Sequence, residues 1–163
     1  MERKTWDEYF MGIATMVAER STCNRLNVGA VLVKDNDIIA TGYNGSISGH
    51  DHCLDVGHLM YEDGCKRTIH AEMNAILSCA KRGESVENAK LYVTHYPCPE
   101  CMKHINQVGI KTVIYKYPYG HRYENTFDHG IELIHFEPKE PETKHKPIRW
   151  GLDSLISNFM GKG

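Results

Sequence analysis

Residues 70–72 read His70-Ala71-Glu72, and residues 97–101 read Pro97-Cys98-Pro99-Glu100-Cys101. Each stretch opens an amphipathic run. From His70 to Arg82 the apolar positions Ala71, Ala75, Ile76, Cys79 and Ala80 recur at helical spacing, and Gly83 stands where a helix-ending glycine belongs. Pro99 to Val108 reads as a second helix, stopped at Gly109. Lys90 to Thr94 precedes that helix as a strand, and Lys111 to Tyr115 follows it as another. Strands alternating with helices in this way place both helix starts at the same end of one sheet.

Upstream, Trp6 to Arg20 puts Trp6, Tyr9, Phe10, Ile13, Met16 and Val17 on one helical face. Val28 to Val33 and Ile38 to Tyr43 are short apolar runs separated by Asp35-Asn36-Asp37, the pattern of a β-hairpin. Residues 42–64 have no periodicity and are rich in Gly, His and Asp, so they form a long connection of the functional kind. Downstream, Asn125 to His129 reads as a short helix, Gly130 as its stop and Ile131 to Phe136 as a last strand. Glu137 to Pro147 alternates charges with prolines and reads as a linker, and Trp150 to Met160 as a small amphipathic helix. The expected fold is α/β, a three-layer α/β/α sandwich with a mixed central sheet, over residues 1–136, with a linker and tail over 137–163.

Length and composition narrow the function classes. The 163 residues, 41% hydrophobic and 25% charged, suit one globular domain. A formal net charge of −2 supplies no general attraction to a polyanion, which argues against a polymeric nucleic-acid partner. The first residues are charged where a signal peptide would be apolar, and no run reaches membrane-spanning length, so a cytoplasmic protein without a membrane partner is expected. In a reducing compartment, six cysteines beside ten histidines read as metal ligands or buried apolar groups before they read as disulfides.

Cys98 and Cys101, one turn apart at a helix start, present both sulfurs on one face, where the helix dipole and free N–H groups favour thiolate. His70 from the other helix start makes a third ligand for Zn2+ and leaves the fourth position open, as catalysis requires. Glu72 is close enough to reach that position without being a ligand, which suits a proton shuttle. A closed structural clasp is the alternative, and it calls for a fourth ligand such as His95 or His104.

The order His-x-Glu followed by Pro-Cys-x-x-Cys resembles the signature of the zinc nucleobase deaminases. Residues 20–31, Gly42 to Ser46, Thr68 to Ile76 and Tyr92 to His95 resemble more narrowly the deoxycytidylate deaminase family, in its bacterial and bacteriophage branch. The resemblance covers roughly residues 5–136. It implies a cytidine deaminase-like fold that converts dCMP to dUMP and ammonia for thymidylate synthesis. It also implies a hexamer activated by dCTP and inhibited by dTTP, with Mg2+. Residue by residue, it implies that Asn44 contacts the sugar, that Tyr119 and Ala71 line the nucleotide pocket, and that Gly42, Tyr43 and Gly45 shape a nucleotide-binding loop. Turns of unusual dihedral angle are the alternative reading of the two glycines. Arg25, between the first helix and the hairpin, is the expected phosphate cation, in competition with Arg67, Lys116, His121 and Arg122. A second, structural zinc is implied at Cys23 and Cys53, with Cys65 close in the same connection and His50, His52 or His58 as fourth ligand. Deaminases of free cytidine, riboflavin precursors, guanine or tRNA adenosine, and a silent zinc or nucleotide-sensing module, are the rival readings.

Overall fold

The computed structural model describes residues 3–62, 64–119 and 126–138. Helix α1 (Trp6–Ala18) begins in a capping box: the Glu8 N–H donates to the Thr5 hydroxyl at 3.2 Å, and the Thr5 N–H to the Glu8 carboxylate at 2.7 Å. Strands β1 (Gly29–Lys34) and β2 (Asp37–Tyr43) form the expected hairpin. Its turn residues Asp35 and Asn36 have φ of 53° and 65°, a left-handed pair that matches the twist of the flanking strands. The connection that follows is not featureless. It holds β3 (Gly45–Ser46), the single turn α2 (Cys53–Val56), β4 (Met60–Tyr61), β5 (Gly64–Cys65) and β6 (Thr68–Ile69). Then come α3 (Ala71–Arg82), β7 (Lys90–His95), α4 (Pro99–Gln107), β8 (Thr112–Tyr117) and β9 (Glu132–His135).

The main sheet runs β2-β1-β7-β8-β9. β1 pairs antiparallel with both β2 and β7, while β7, β8 and β9 are parallel, so the sheet is mixed. Alternation along the strands separates two cores. Ala30, Leu32, Leu91, Val93 and Val113 pack toward α3 and α4 with Ala75, Cys79 and Ile105, and Val31, Val33, Tyr92 and Ile114 pack toward α1 with Phe10, Met11 and Ala14. Helices on both faces make the three-layer α/β/α sandwich.

Two glycines set how close the layers lie. A Cβ on Gly29 would come 2.1 Å from the Ala14 carbonyl oxygen, and one on Gly42 would come 2.2 Å from that of Ala71. Each allows a helix backbone to rest directly on a strand. Buried Tyr92 adds a polar tie, its hydroxyl donating to Asp7 in the first turn of α1 at 2.7 Å.

Three expectations change. Residues 126–129 form bends and a turn in place of a helix, because the Asn106 side-chain amide donates to the carbonyls of Phe127 and His129, at 3.1 and 2.8 Å, and takes up the local backbone acceptors. β8 continues to Tyr117, and β9 starts only at Glu132, after Gly130 with φ of 78°. The tail helix expected over 150–160, and most of the linker before it, lie outside the described residues, as do His121, Arg122 and Asn125. No helix among the described residues is long and apolar enough to cross a membrane.

Candidate active site

His70 and Cys98 are the N-cap residues of α3 and α4, and Cys101 lies in the first turn of α4. Helix α4 begins at the carboxyl end of β7, the edge at which α/β sheets open a crevice, and α3 begins beside it. The His70 Nδ1 atom lies 3.4 Å from Cys98 Sγ and 3.3 Å from Cys101 Sγ. Two ligands about 2.3 and 2.0 Å from a tetrahedral zinc would be roughly 3.5 Å apart, so the trio fits that ion. Among the described residues, no fourth side chain joins this group within ligand distance. His104 is exposed on α4, and His95 turns its Nδ1 to the Thr94 hydroxyl at 3.0 Å, so neither closes a structural clasp.

The electrostatics follow from the geometry. Cys98 is brought down to about 4, first by the hydrogen bond from the Cys101 thiol, against the cost of burial, and further by His70 and the Cys101 N–H. Cys101 is pushed up, because the two thiols share one proton and Cys101 keeps it. His70 is raised by its hydrogen bond to Cys98 and by Glu72. Glu72, only 5% exposed, has its carboxyl pushed up by burial, with partial relief from its own backbone N–H and from His70. A buried carboxyl whose proton affinity is raised, beside a metal-binding trio, is suited to carry protons.

His70, Glu72 and Cys98 line one cavity of about 350 Å³. Ala71, Asn44, Arg25 and Tyr119 line it too, as do Val28, His95 and Tyr96. Asn44 is held by the backbone: the Val28 N–H donates to its Oδ1 at 2.9 Å, and its Nδ2 donates to the Leu26 carbonyl at 2.7 Å. Each end of the amide retains one further hydrogen-bonding position. Arg25 is exposed at the rim, with a guanidinium nitrogen 3.4 Å from the Met60 sulfur.

Gly42, Tyr43 and Gly45 are placed elsewhere. None belongs to the wall of this cavity, and neither glycine has a left-handed φ. Gly42 packs under α3, and the Tyr43 carbonyl accepts from Asn74 Nδ2 at 2.7 Å. A Cβ on Gly45 would come 3.0 Å from the Thr22 hydroxyl. Arg67 donates to the Gly57 carbonyl at 3.0 Å, and Lys116 sits 4.9 Å from the Tyr117 ring centre.

A second cluster adjoins the same cavity through Cys23 and Cys65. Ligand atoms of Cys23, Cys53 and His58 lie within 4.8 Å of one another, and Cys53 Sγ is 3.7 Å from Cys65 Sγ. Two thiolates on one tetrahedral zinc would be about 3.8 Å apart. The buried Nδ1 of His58 has no hydrogen-bond partner, as expected of an atom reserved for a metal. Burial pushes Cys53 up to about 11. Burial also raises Cys65, but N–H donors from Arg67 and Leu59 and contacts with His58 and Cys53 outweigh it and bring that thiol to about 7. Sequence reasoning left His50, His52 and His58 equal, and only the chain path between α2 and β4 separates them.

Comparison with known proteins agrees with this chemistry. Residues 4–117 match the family model described as the cytidine and deoxycytidylate deaminase zinc-binding region. The ComE operon protein 2 of Bacillus subtilis is 58% identical over 119 residues, 73% of this chain and 63% of that protein, so the chain spans less than two thirds of that relative. The deoxycytidylate deaminase of Mycobacterium phage D29 is 43% identical over 126 residues, covering 71% of this chain and 97% of the phage protein. The crystal structure of the dCMP deaminase of cyanophage S-TIM5, in complex with dCMP and dUMP, superimposes with a TM-score of 0.72 at 34% identity, over 83% of this chain and all of that one.

Proposed function

The chain belongs to the cytidine and deoxycytidylate deaminase zinc-binding family, and from that premise we propose that it hydrolyses dCMP to dUMP and ammonia. One observation carries the reading: an imidazole nitrogen 3.3–3.4 Å from two thiols, with a buried carboxyl in the first turn of α3, and His70, Cys98 and that carboxyl facing one cavity. His70, Cys98 and Cys101 hold the zinc. When bound, it supplies the Lewis acidity that makes water a nucleophile near neutral pH.

The chain's own groups do the rest. Glu72 accepts the proton that water gives up, delivers it to the cytosine ring nitrogen, and completes the second transfer that lets the amino group leave as ammonia. Backbone N–H groups at the starts of α3 and α4, Ala71 among them, face the base and its developing charge. Asn44 takes the sugar hydroxyl with the hydrogen-bonding positions left to it, Tyr119 lines the nucleotide side of the cavity, and Arg25 at the rim meets the phosphate. Support for these three roles is their common place on the cavity wall.

Cys23, Cys53, Cys65 and His58 hold a second, structural zinc that staples the connection forming one wall. The family resemblance alone supports the wider reading: a catalytic domain over 1–136, a cytoplasmic hexamer feeding thymidylate synthesis, and regulation by dCTP and dTTP with Mg2+. Purified protein is expected to release ammonia from dCMP far faster than from deoxycytidine or CMP, and Glu72→Ala to abolish turnover while zinc stays bound. Faster release from deoxycytidine would overturn the substrate assignment. Metal analysis should find two zinc ions per chain, and a single one would remove the structural site.

A further inference from the structure

We propose that His95, beside Arg25, is a residue through which the site tells a nucleoside monophosphate from a nucleoside, its Nε2–H donating to a phosphate oxygen. The inference rests on the deaminase reading above and names the group that sets its substrate.

The Gly29 N–H donates to the Thr94 hydroxyl oxygen at 3.2 Å, and that hydroxyl lies 3.0 Å from His95 Nδ1. Thr94 is 2% exposed, so its single hydroxyl proton needs an acceptor inside the protein. Were Nδ1 protonated, Thr94 would accept two bonds and leave that proton buried without a partner, at a cost typical of an unsatisfied polar group. The satisfied arrangement gives the proton of Thr94 to Nδ1 and places the ring proton on Nε2. Tyr117, 5.1 Å away between ring centres and inclined at 45°, braces the imidazole. Burial lowers its proton affinity as well. His95 thus brings to the cavity wall one oriented, neutral donor.

Position selects the phosphate as its acceptor. Glu72 and the metal trio draw the cytosine to the buried end, and Asn44 meets the sugar, so the phosphate lies toward the opening. His95, half-buried on the wall of the same cavity beside the exposed ring of Tyr117, is the donor we assign to the phosphate. A neutral donor costs less to keep in an empty pocket than an unpaired ammonium would, and phosphate is the strong acceptor of the nucleotide.

The test compares dCMP with deoxycytidine as substrates of the wild type and of His95→Leu, His95→Gln and His95→Asn. In His95→Leu the ratio of kcat/KM for dCMP over deoxycytidine should fall about tenfold or more, mainly through KM for dCMP. Gln, whose amide nitrogen reaches the Nε2 position, should restore most of the ratio, and Asn, whose amide falls near Nδ1, should not. A loss shared equally by both substrates, an unchanged ratio in His95→Leu, or Asn performing as well as Gln would each overturn the proposal. If His95→Leu does not fold, the contrast between Gln and Asn decides alone. A wild type that prefers deoxycytidine sinks the substrate reading together with this one, whereas a wild-type preference for dCMP that survives in His95→Leu sinks only the role of His95.

Discussion

The two cysteine clusters flank one cavity yet stand on opposite kinds of backbone. His70, Cys98 and Cys101 occupy the starts of α3 and α4, helices of 12 and 9 residues packed on a five-stranded sheet. Cys53, His58 and Cys65 come from a stretch whose regular pieces are one helical turn and strands of two residues. The first scaffold forms without a metal, because Ala71, Ala75, Ile76 and Ile105 bury apolar surface against the sheet whatever the ligands hold. The second has little core of its own: Leu54, Val56, Leu59, Met60 and Tyr61 are each half exposed or more. There a bound metal would hold the backbone, since ligation is itself folding energy in a segment too short to pay for its own order. A scaffold that precedes its metal can leave a coordination position open, whereas a metal that serves as the scaffold needs all its ligands.

The largest effects should come from substituting one ligand on each side. Cys98→Ala is expected to cut kcat for dCMP by a factor on the order of 10³ or more with only a small change in thermal stability. Cys53→Ala is expected to do the reverse, lowering stability by roughly 2–4 kcal/mol while the catalytic zinc stays bound. Denaturant melts beside steady-state kinetics check the pair, and equal losses in both columns would erase the distinction.

A finer probe separates two neighbours. His52 and His58 both carry a buried Nδ1 without a partner, but only His58 lies within ligand distance of Cys23 and Cys53. His58→Ala should therefore release one zinc per chain and cost about 2 kcal/mol, and His52→Ala should leave the metal content intact. Metal analysis after gel filtration reads the difference, and zinc loss from His52→Ala would move the fourth ligand.

The smallest expected effect is one of thiol order in protein stripped by chelator. Thiolate is the reactive form and exists above each thiol's pKa. Alkylation should therefore mark Cys98 already in mild acid, given its value of about 4, and well before Cys101, which is pushed up. Peptide mass spectrometry across the acid and neutral range gives the order, and simultaneous labelling of the two would show that they do not share a proton.

How far these differences were legible depended on distance along the chain. Cys98 and Cys101 lie three residues apart, so helical periodicity alone presents them together, whereas His70 and Glu72, two apart, are legible by residue type and order. The hairpin announced itself through Asp35-Asn36-Asp37 between two apolar runs. Other features had no local sign. Gly42 looked like part of a nucleotide loop, and it is instead the contact on which α3 rests, a fact that needs both the strand and the helix in place. The turn at 126–129 looked helical because its dependence on the side chain of Asn106 spans some twenty residues.

Sequence by itself determined which residue types offer metal ligands, where the longer helices and strands lie and which of their faces are apolar, because ligand type, side-chain periodicity and turn preference are properties of neighbours in the chain. Tertiary structure decided that His70 meets Cys98 and Cys101 at 3.3–3.4 Å, that His58 and not His50 joins Cys23 and Cys53, and that Gly29 reaches Thr94 and, through it, His95. Those meetings depend on the strand order β2-β1-β7-β8-β9 and on how closely the layers pack, and both emerge only when distant segments bury their surfaces against one another.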